Sequence, residues 1–303
     1  MSLLNKLIAK TLPFVPKSIV GQFSKRYIAG ASLQDATRVV SRLNANGLLA
    51  TLDLLGEDIY EESEAIANRG EILNVLHAIV EHRLDSNISL KLSELGLRID
   101  KELCYQNVEA IVADARYKGN FIRIDMEDSS TTSDTLAIYR RLRESGYDNV
   151  GVVIQAYLRR SEEDIRSLAK LNANIRICKG IYIEPEEIAF RDRDDVRRHF
   201  VLLLRTMFES GCYAGIATHD EYVIEKAYEL IGKYRLRRDQ YEFQMLLGVR
   251  EELRDSIVAK EHRLRVYVPY GQAWHAYSVR RLKENPQIAG YIVRAMFGLN
   301  NSK

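Results

Sequence analysis

Eight short apolar runs, each rich in β-branched or aromatic residues, recur along the chain with helical patterns between most of them. They are LLATLDLLGE (48–57), NISLKLSELG (87–96), FIRIDMED (121–128), VGVVIQAYL (150–158), IRICKGIYI (175–183), YAGIATHD (213–220), YEFQMLLG (241–248) and RLRVYVPYG (263–271). Near-continuous apolar strands alternating with amphipathic helices form a parallel sheet covered by helices. Eight such units predict an α/β fold closed into a (βα)8 TIM-type barrel rather than an open doubly wound sheet. At 303 residues the chain accommodates one such barrel of about 250 residues with helices added, so no second core is required. Residues 1–45 read as an N-terminal helical arm and 46–303 as the barrel, with a last helix over its mouth.

Local signals set expected helix starts. Ser161-Glu-Glu-Asp164 reads as a capping box before IRSLAKLNA. Ser133-Asp134 opens TLAIYRRLRESG, which Gly146 closes, and Asp220 is placed to cap EYVIEKAYELI.

Composition narrows the function classes. Cys104, Cys178 and Cys212 are far apart and the six histidines form no HxxxH or HExxH pattern, so neither disulfides nor a protein-ligated metal is expected. That cysteine usage fits a reducing, cytoplasmic setting. No run approaches the ~18 apolar residues of a membrane span. Net charge is +2, yet five basic residues and no acid precede Asp35, so residues 1–30 suit a helix lying on the inner face of an anionic membrane. A helix packed on the barrel explains the same segment. Beyond it the charges are mixed, which argues against nucleic-acid binding.

Barrel chemistry sits at the C-terminal ends of the strands. Those ends carry Glu57, Lys91, Asp125, Gln155, Lys179, Tyr182, Thr218, His219, Asp220, Gln244 and Tyr267. Loop capping accounts for Asp220, but not for Lys91 within SLKLS or Asp125 within RIDME. Past the last strand, AYSVRRLKENP (276–286) puts Tyr277, Arg280, Arg281 and Glu284 on one helical face. Read alone, this is a solvated stripe with an Arg280–Glu284 pair worth about 0.2–0.5 kcal/mol. Beside a barrel mouth, two guanidiniums suit a small carboxylate or phosphate. No GxGxxG follows a strand, so a Rossmann dinucleotide site is not expected.

Taken together, KLSELG, FIRIDMED, IRICKGIYIEP, ATHD, FQMLLGV and RVYVPYGQAWHAYSVRRLKENP resemble the proline dehydrogenase family, in register from LDLLGE onward. The length is similar to its monofunctional members. The resemblance implies an FAD-dependent flavoprotein that oxidises L-proline to Δ1-pyrroline-5-carboxylate, moving a hydride from proline C5 to flavin N5. It further implies electrons passing to a membrane quinone, and a separate pyrroline-5-carboxylate dehydrogenase as functional partner. By the same resemblance Arg280, Arg281 and Lys91 hold the proline carboxylate, with Asp125 as counter-charge and as the group orienting Lys91 or Arg281. Glu57 resembles a gate residue, while Tyr182, Leu246, Tyr267 and Tyr277 wall the ring. Arg176 matches the cation beside flavin N5. Met126, Gln155, Lys179, Gly180, Ile181, Thr218, His219, Gln244 and Glu284 match cofactor contacts. Two departures fall on the cofactor side: KGIY for the commoner KGAY at Ile181, and ATHD for ATHN at Asp220. A rival from the residues alone is a barrel aldolase or isomerase using Lys91 or Lys179 as a Schiff-base amine. A non-catalytic, membrane-recruited module is a third.

Overall fold

The structure is a computed structural model and describes residues 21, 24–56, 59–275, 277 and 278. Its elements run α1 (Leu33–Ala45), β1 (Leu49–Leu54), α2 (Glu62–Glu81), β2 (Ser86–Leu90), α3 (Lys101–Tyr117), β3 (Ile122–Ile124), α4 (Ser129–Glu144), β4 (Val150–Gln155) and α5 (Ser161–Ala169). There follow β5 (Asn174–Cys178), α6 (Arg193–Glu209), β6 (Tyr213–Ala217), α7 (Glu221–Tyr234), β7 (Tyr241–Leu246), α8 (Glu251–Ala259) and β8 (Leu264–Tyr270). Every strand pairs in parallel with its sequence neighbour, and β1 closes on β8 from Leu49↔Arg265 to Leu54↔Tyr270. The eight expected strands are all present, the third shortened to Ile122–Ile124.

Strand residues alternate between two faces, and here the two faces differ in chemistry. Ile88, Leu90, Ile122, Ile124, Ile175, Ile177, Val266 and Val268 join helix residues such as Leu76, Ile111 and Leu203 in one apolar core. The intervening positions hold Ser89, Arg123, Arg176, Glu242, Gln244 and Arg265, all buried. They point into the barrel, because Arg176 on β5 reaches Ser89 on β2, a strand that is not its neighbour. A barrel interior is usually filled by layers of branched apolar side chains. This one is filled by polar groups, which are tolerable in burial only when paired. Arg265 accordingly meets Glu242 at 2.7 and 3.1 Å. Arg123 donates to the carbonyls of Val152 and Asn174 and to the Asn174 side chain.

Outside the barrel wall, α1 buries Ala36, Val40 and Leu43 in the same core as Leu48, Ala50 and Leu52. Its start is fixed by Ser32, whose hydroxyl accepts from the Asp35 amide while Asp35 accepts from the Ser32 amide.

Two expected helix starts are corrected. The Ser161–Asp164 capping box does not form: Ser161 is already helical and its hydroxyl donates to the Gln155 carbonyl at 2.6 Å. Asp164 is taken by Arg160 through two hydrogen bonds of 2.8 and 3.0 Å, so neither side chain is left for the amides of the first turn. The α4 helix starts at Ser129 rather than beside Ser133-Asp134, because the Asp128 carboxylate caps it by accepting from the Ser130 amide. Asp220 caps α7 as expected, accepting from Tyr222 N at 3.1 Å.

Candidate active site

The C-terminal rim is organised around Asp125, one residue past β3. Its Oδ1 accepts from Ser89 Oγ at 2.8 Å and Arg176 Nη1 at 2.7 Å, and its Oδ2 accepts from Tyr267 OH at 2.8 Å. Three strands, β2, β5 and β8, thus deliver donors to one carboxylate. The Arg176 guanidinium also lies 5.3 Å from the Tyr267 ring centre. Burial, followed by the charges of Asp125 and Asp53, pushes the Tyr267 phenol well above its ordinary pKa, so it remains a hydrogen-bond donor.

Lys91 forms a second centre. Asp125 is the group expected to orient Lys91 or Arg281; for Lys91 the structure gives that role to Asp53, 2.6 Å from Lys91 Nζ, with Glu94 at 3.9 Å. Register explains the change. Asp53 lies opposite Ser89 on adjacent strands, so it faces the same interior as Lys91, two residues further on. The oxygens of Asp125 are meanwhile occupied by Ser89, Arg176 and Tyr267. Burial works against the Lys91 charge, but Asp53, Glu94 and Asp125 together raise its pKa above the usual value. The ammonium is therefore stabilised, the opposite of what Schiff-base chemistry requires of a lysine. Glu94 itself is pushed up to about 7, chiefly by burial and then against the pull of Lys91 by Asp53 and Glu127.

Next along the rim, at the end of β4, Gln155 Nε2 donates to the Met126 and Glu127 carbonyls, both at 3.1 Å. Gln155 Oε1 and Arg176 Nη2 are buried with no hydrogen-bond partner among the described residues. An acceptor and a donor on neighbouring strands are thus left open together. Gln244 Oε1 accepts from Arg176 Nε at 2.5 Å. Lys179 pairs with Asp220, which also takes Arg197 at 2.8 and 3.0 Å. Burial opposes ionisation of Asp220, yet Arg197 and Lys179 hold its carboxyl well below the usual range. Gly180, at φ +100°, lies where a Cβ would come within 2.0 Å of the Tyr157 ring, so only glycine fits there.

The remaining expected residues are distributed along the same rim. His219 Nε2 accepts from Leu246 N at 3.0 Å, and Thr218 Oγ1 accepts from Asp220 N at 3.1 Å. Tyr182 is half-buried and Ile181 exposed. Tyr277 is buried against Ile28 and Leu55. Glu57, Arg280, Arg281 and Glu284 lie outside the described residues. Sequence reasoning passed over Asp53, Ser89, Glu94 and Glu242. The first and last were signalled as Lys91 was, by a lone charge within a β-type run. Among the described residues no helix is long and apolar enough to cross a membrane, and no group of three His, Cys, Asp or Glu is arranged to hold a metal.

A closed parallel barrel with cross-braced charges and unfilled polar atoms at its C-terminal rim has the layout of a (βα)8-barrel enzyme. A family model described as proline dehydrogenase matches residues 36–294. Proline dehydrogenase 1 of Bacillus subtilis is 39% identical over 273 residues, covering 90% of both chains. Proline dehydrogenase of Deinococcus radiodurans is 36% identical over 277 residues, covering 90% of this chain and 89% of its own. The chain belongs to the proline dehydrogenase family, a family of oxidoreductases. Among solved structures, proline utilization A (PutA) of Bdellovibrio bacteriovorus, inactivated by N-propargylglycine, aligns with a TM-score of 0.82 and 26% identity. The alignment covers 92% of this chain and 34% of that one, so this chain spans about a third of its length.

Proposed function

We propose that the chain oxidises L-proline to Δ1-pyrroline-5-carboxylate, the first step of proline catabolism, with FAD as its cofactor and a membrane quinone as the final electron acceptor. The observation that carries the reading is the Asp125 centre, which joins Ser89, Arg176 and Tyr267 beside two unfilled polar atoms. A flavin ring bears both N–H donors and carbonyl or ring-nitrogen acceptors on its edge. Gln155 Oε1 and Arg176 Nη2 fit that edge as acceptor and donor.

In this reading Met126, Gln155, Arg176, Lys179, Gly180, Ile181, Thr218, His219, Gln244 and Glu284 hold the cofactor, which when bound supplies a two-electron acceptor. Arg176 contributes a fixed cation where charge accumulates on reduction. Its position is set by Asp125 and Gln244 rather than by the ligand, so little reorganisation is needed. Lys91, with Arg280 and Arg281, binds the substrate carboxylate, and Asp53 keeps the Lys91 ammonium aimed and charged. Tyr267, Tyr277, Tyr182 and Leu246 enclose the ring and exclude water, with Glu57 closing the entrance. Proline loses a hydride equivalent from C5 and a proton from nitrogen, leaving the C=N bond of the product. The product then passes to a pyrroline-5-carboxylate dehydrogenase, and residues 1–30 supply a peripheral membrane contact.

Purified protein is expected to be yellow and to bleach when proline is added without oxygen. Arg280→Met or Arg281→Met is expected to weaken proline binding by at least tenfold while leaving the bound FAD spectrum in place. A colourless protein that does not take up added FAD would refute the proposal.

A further inference from the structure

Deep in the barrel, below the rim residues that touch ligands in the proposed reaction, Glu242 and Arg265 form a buried pair with no assigned task. We propose that Glu242, held by Arg265, is a positioning residue for Arg176 and acts through the side-chain amide of Gln244. This inference rests on the reading of Arg176 as a cofactor contact.

A primary amide offers a carbonyl on one side and an NH2 on the other, in nearly the same volume, so its orientation is decided by its neighbours. Gln244 stands between a donor and an acceptor. Its Oε1 receives Arg176 Nε–H at 2.5 Å, and its Nε2 donates to Glu242 Oε1 at 2.6 Å. Rotating the amide by half a turn would set NH2 against the guanidinium and C=O against the carboxylate. Both contacts would be repulsive in a buried, weakly screened setting.

Glu242 stays an acceptor because Arg265 binds both its oxygens, at 2.7 and 3.1 Å, and is itself anchored on the Ala50 carbonyl at 2.6 Å. Although burial opposes it, this pairing keeps the Glu242 carboxyl below its ordinary pKa.

The route across the sheet is cleared by one residue. Gly215 on β6 stands in register with Arg176 on one side and Glu242 on the other. A Cβ there would come within 2.7 Å of Gln244 Nε2. Without a side chain on β6, the β7 amide crosses to the β5 guanidinium.

The consequence is selection among donors. Arginine carries five N–H protons in a fixed fork. Gln244 takes Nε–H, Asp125 and Ser89 share Nη1, and Nη2 is left unfilled toward the ligand. Glu242 thereby decides, through the amide, which edge of Arg176 is offered.

The test replaces the pair as a unit, Glu242→Leu with Arg265→Met, so that no lone charge is left buried. It is made in the full chain and again in a Gln244→Met background. Two quantities are read: the Arg176 Nε–H resonance in cofactor-free, arginine-labelled protein, and the two-electron midpoint potential of bound FAD. In the parent background the swap is expected to move the resonance and to lower the preference for reduced over oxidised cofactor about tenfold, ~30 mV for a two-electron couple. In the Gln244→Met background the same swap is expected to move neither. Equal shifts in both backgrounds, or a change in thermal stability with no shift in either reading, would overturn the proposal. Should the double variant fail to fold, Glu242→Gln combined with Arg265→Met decides, again leaving no lone charge buried. The introduced amide oxygen still accepts from Gln244, so the Arg176 resonance is expected to stay at its parental position, and its displacement would count against the proposal. The resonance is read without FAD, so failure of the cofactor reading is a separate outcome.

Discussion

Asp53→Asn isolates the charge pair that sequence reasoning overlooked. The side chains of Lys91 and Asp53 are 19% and 2% exposed and meet at 2.6 Å. Removing one partner of such a pair typically costs about 3–5 kcal/mol, because the other charge is left buried and uncompensated. Glu94, 3.9 Å from Lys91 Nζ, takes over part of the compensation, which places the expected loss near the lower end, about 3 kcal/mol. In a chain of this size that corresponds to a fall in Tm of roughly 5–10 °C. Urea unfolding at pH 8, above the raised Glu94 pKa of about 7, measures the loss directly. The double variant Asp53→Asn with Lys91→Met leaves neither charge, and is expected to recover most of the stability while binding proline poorly. A single variant that loses less than about 1 kcal/mol, or a double variant less stable than Asp53→Asn alone, would refute the account of Lys91 as a buried cation neutralised chiefly by Asp53.

Glu94→Gln tests the same cluster through pH. The folded state raises this carboxyl from 4.5 to about 7, so it favours the protonated form; the stability linked to Glu94 is complete below pH 4.5 and is lost as pH rises through about 7. Glutamine does not titrate, so the variant should gain on the parent across that window, levelling off at roughly 3 kcal/mol or less in urea unfolding. A difference that is flat with pH would refute it. Tyr267→Phe removes one of three donors from Asp125 and should cost about 1.5–3 kcal/mol of stability, with the Arg176–Asp125 pair retained in a crystal structure. Asp128→Ala removes the cap of α4 and one partner of Arg98, and should cost about 1 kcal/mol in thermal unfolding without altering FAD uptake.

The barrel was legible because its outward strand positions carry a strong apolar signal and its helices fall between them. The rim was legible where a polar residue interrupts such a run, as Lys91 and Asp125 do. What could not be read was pairing. Asp53 and Asp125 are equally plausible partners for Lys91 until the β1/β2 register is known, and the arms of Arg176 reach β2, the residue after β3, and β7 at once. The Ser161–Asp164 capping box failed for the same reason. Ser161 and Asp164 have the right spacing for a box, yet the Gln155 carbonyl and Arg160 compete for them more closely.

A barrel filled with partners rather than with volume also constrains how such a chain can diverge. Apolar interiors tolerate drift one methyl group at a time, since neighbours repack around small changes. Here Ser89, Asp125, Arg176, Gln244, Glu242 and Arg265 are joined by consecutive hydrogen bonds, and altering one strands the next. Replacements in this interior are expected to travel through evolution in matched sets, and a lone substitution transplanted from a distant relative should be worse tolerated than the full set it came with.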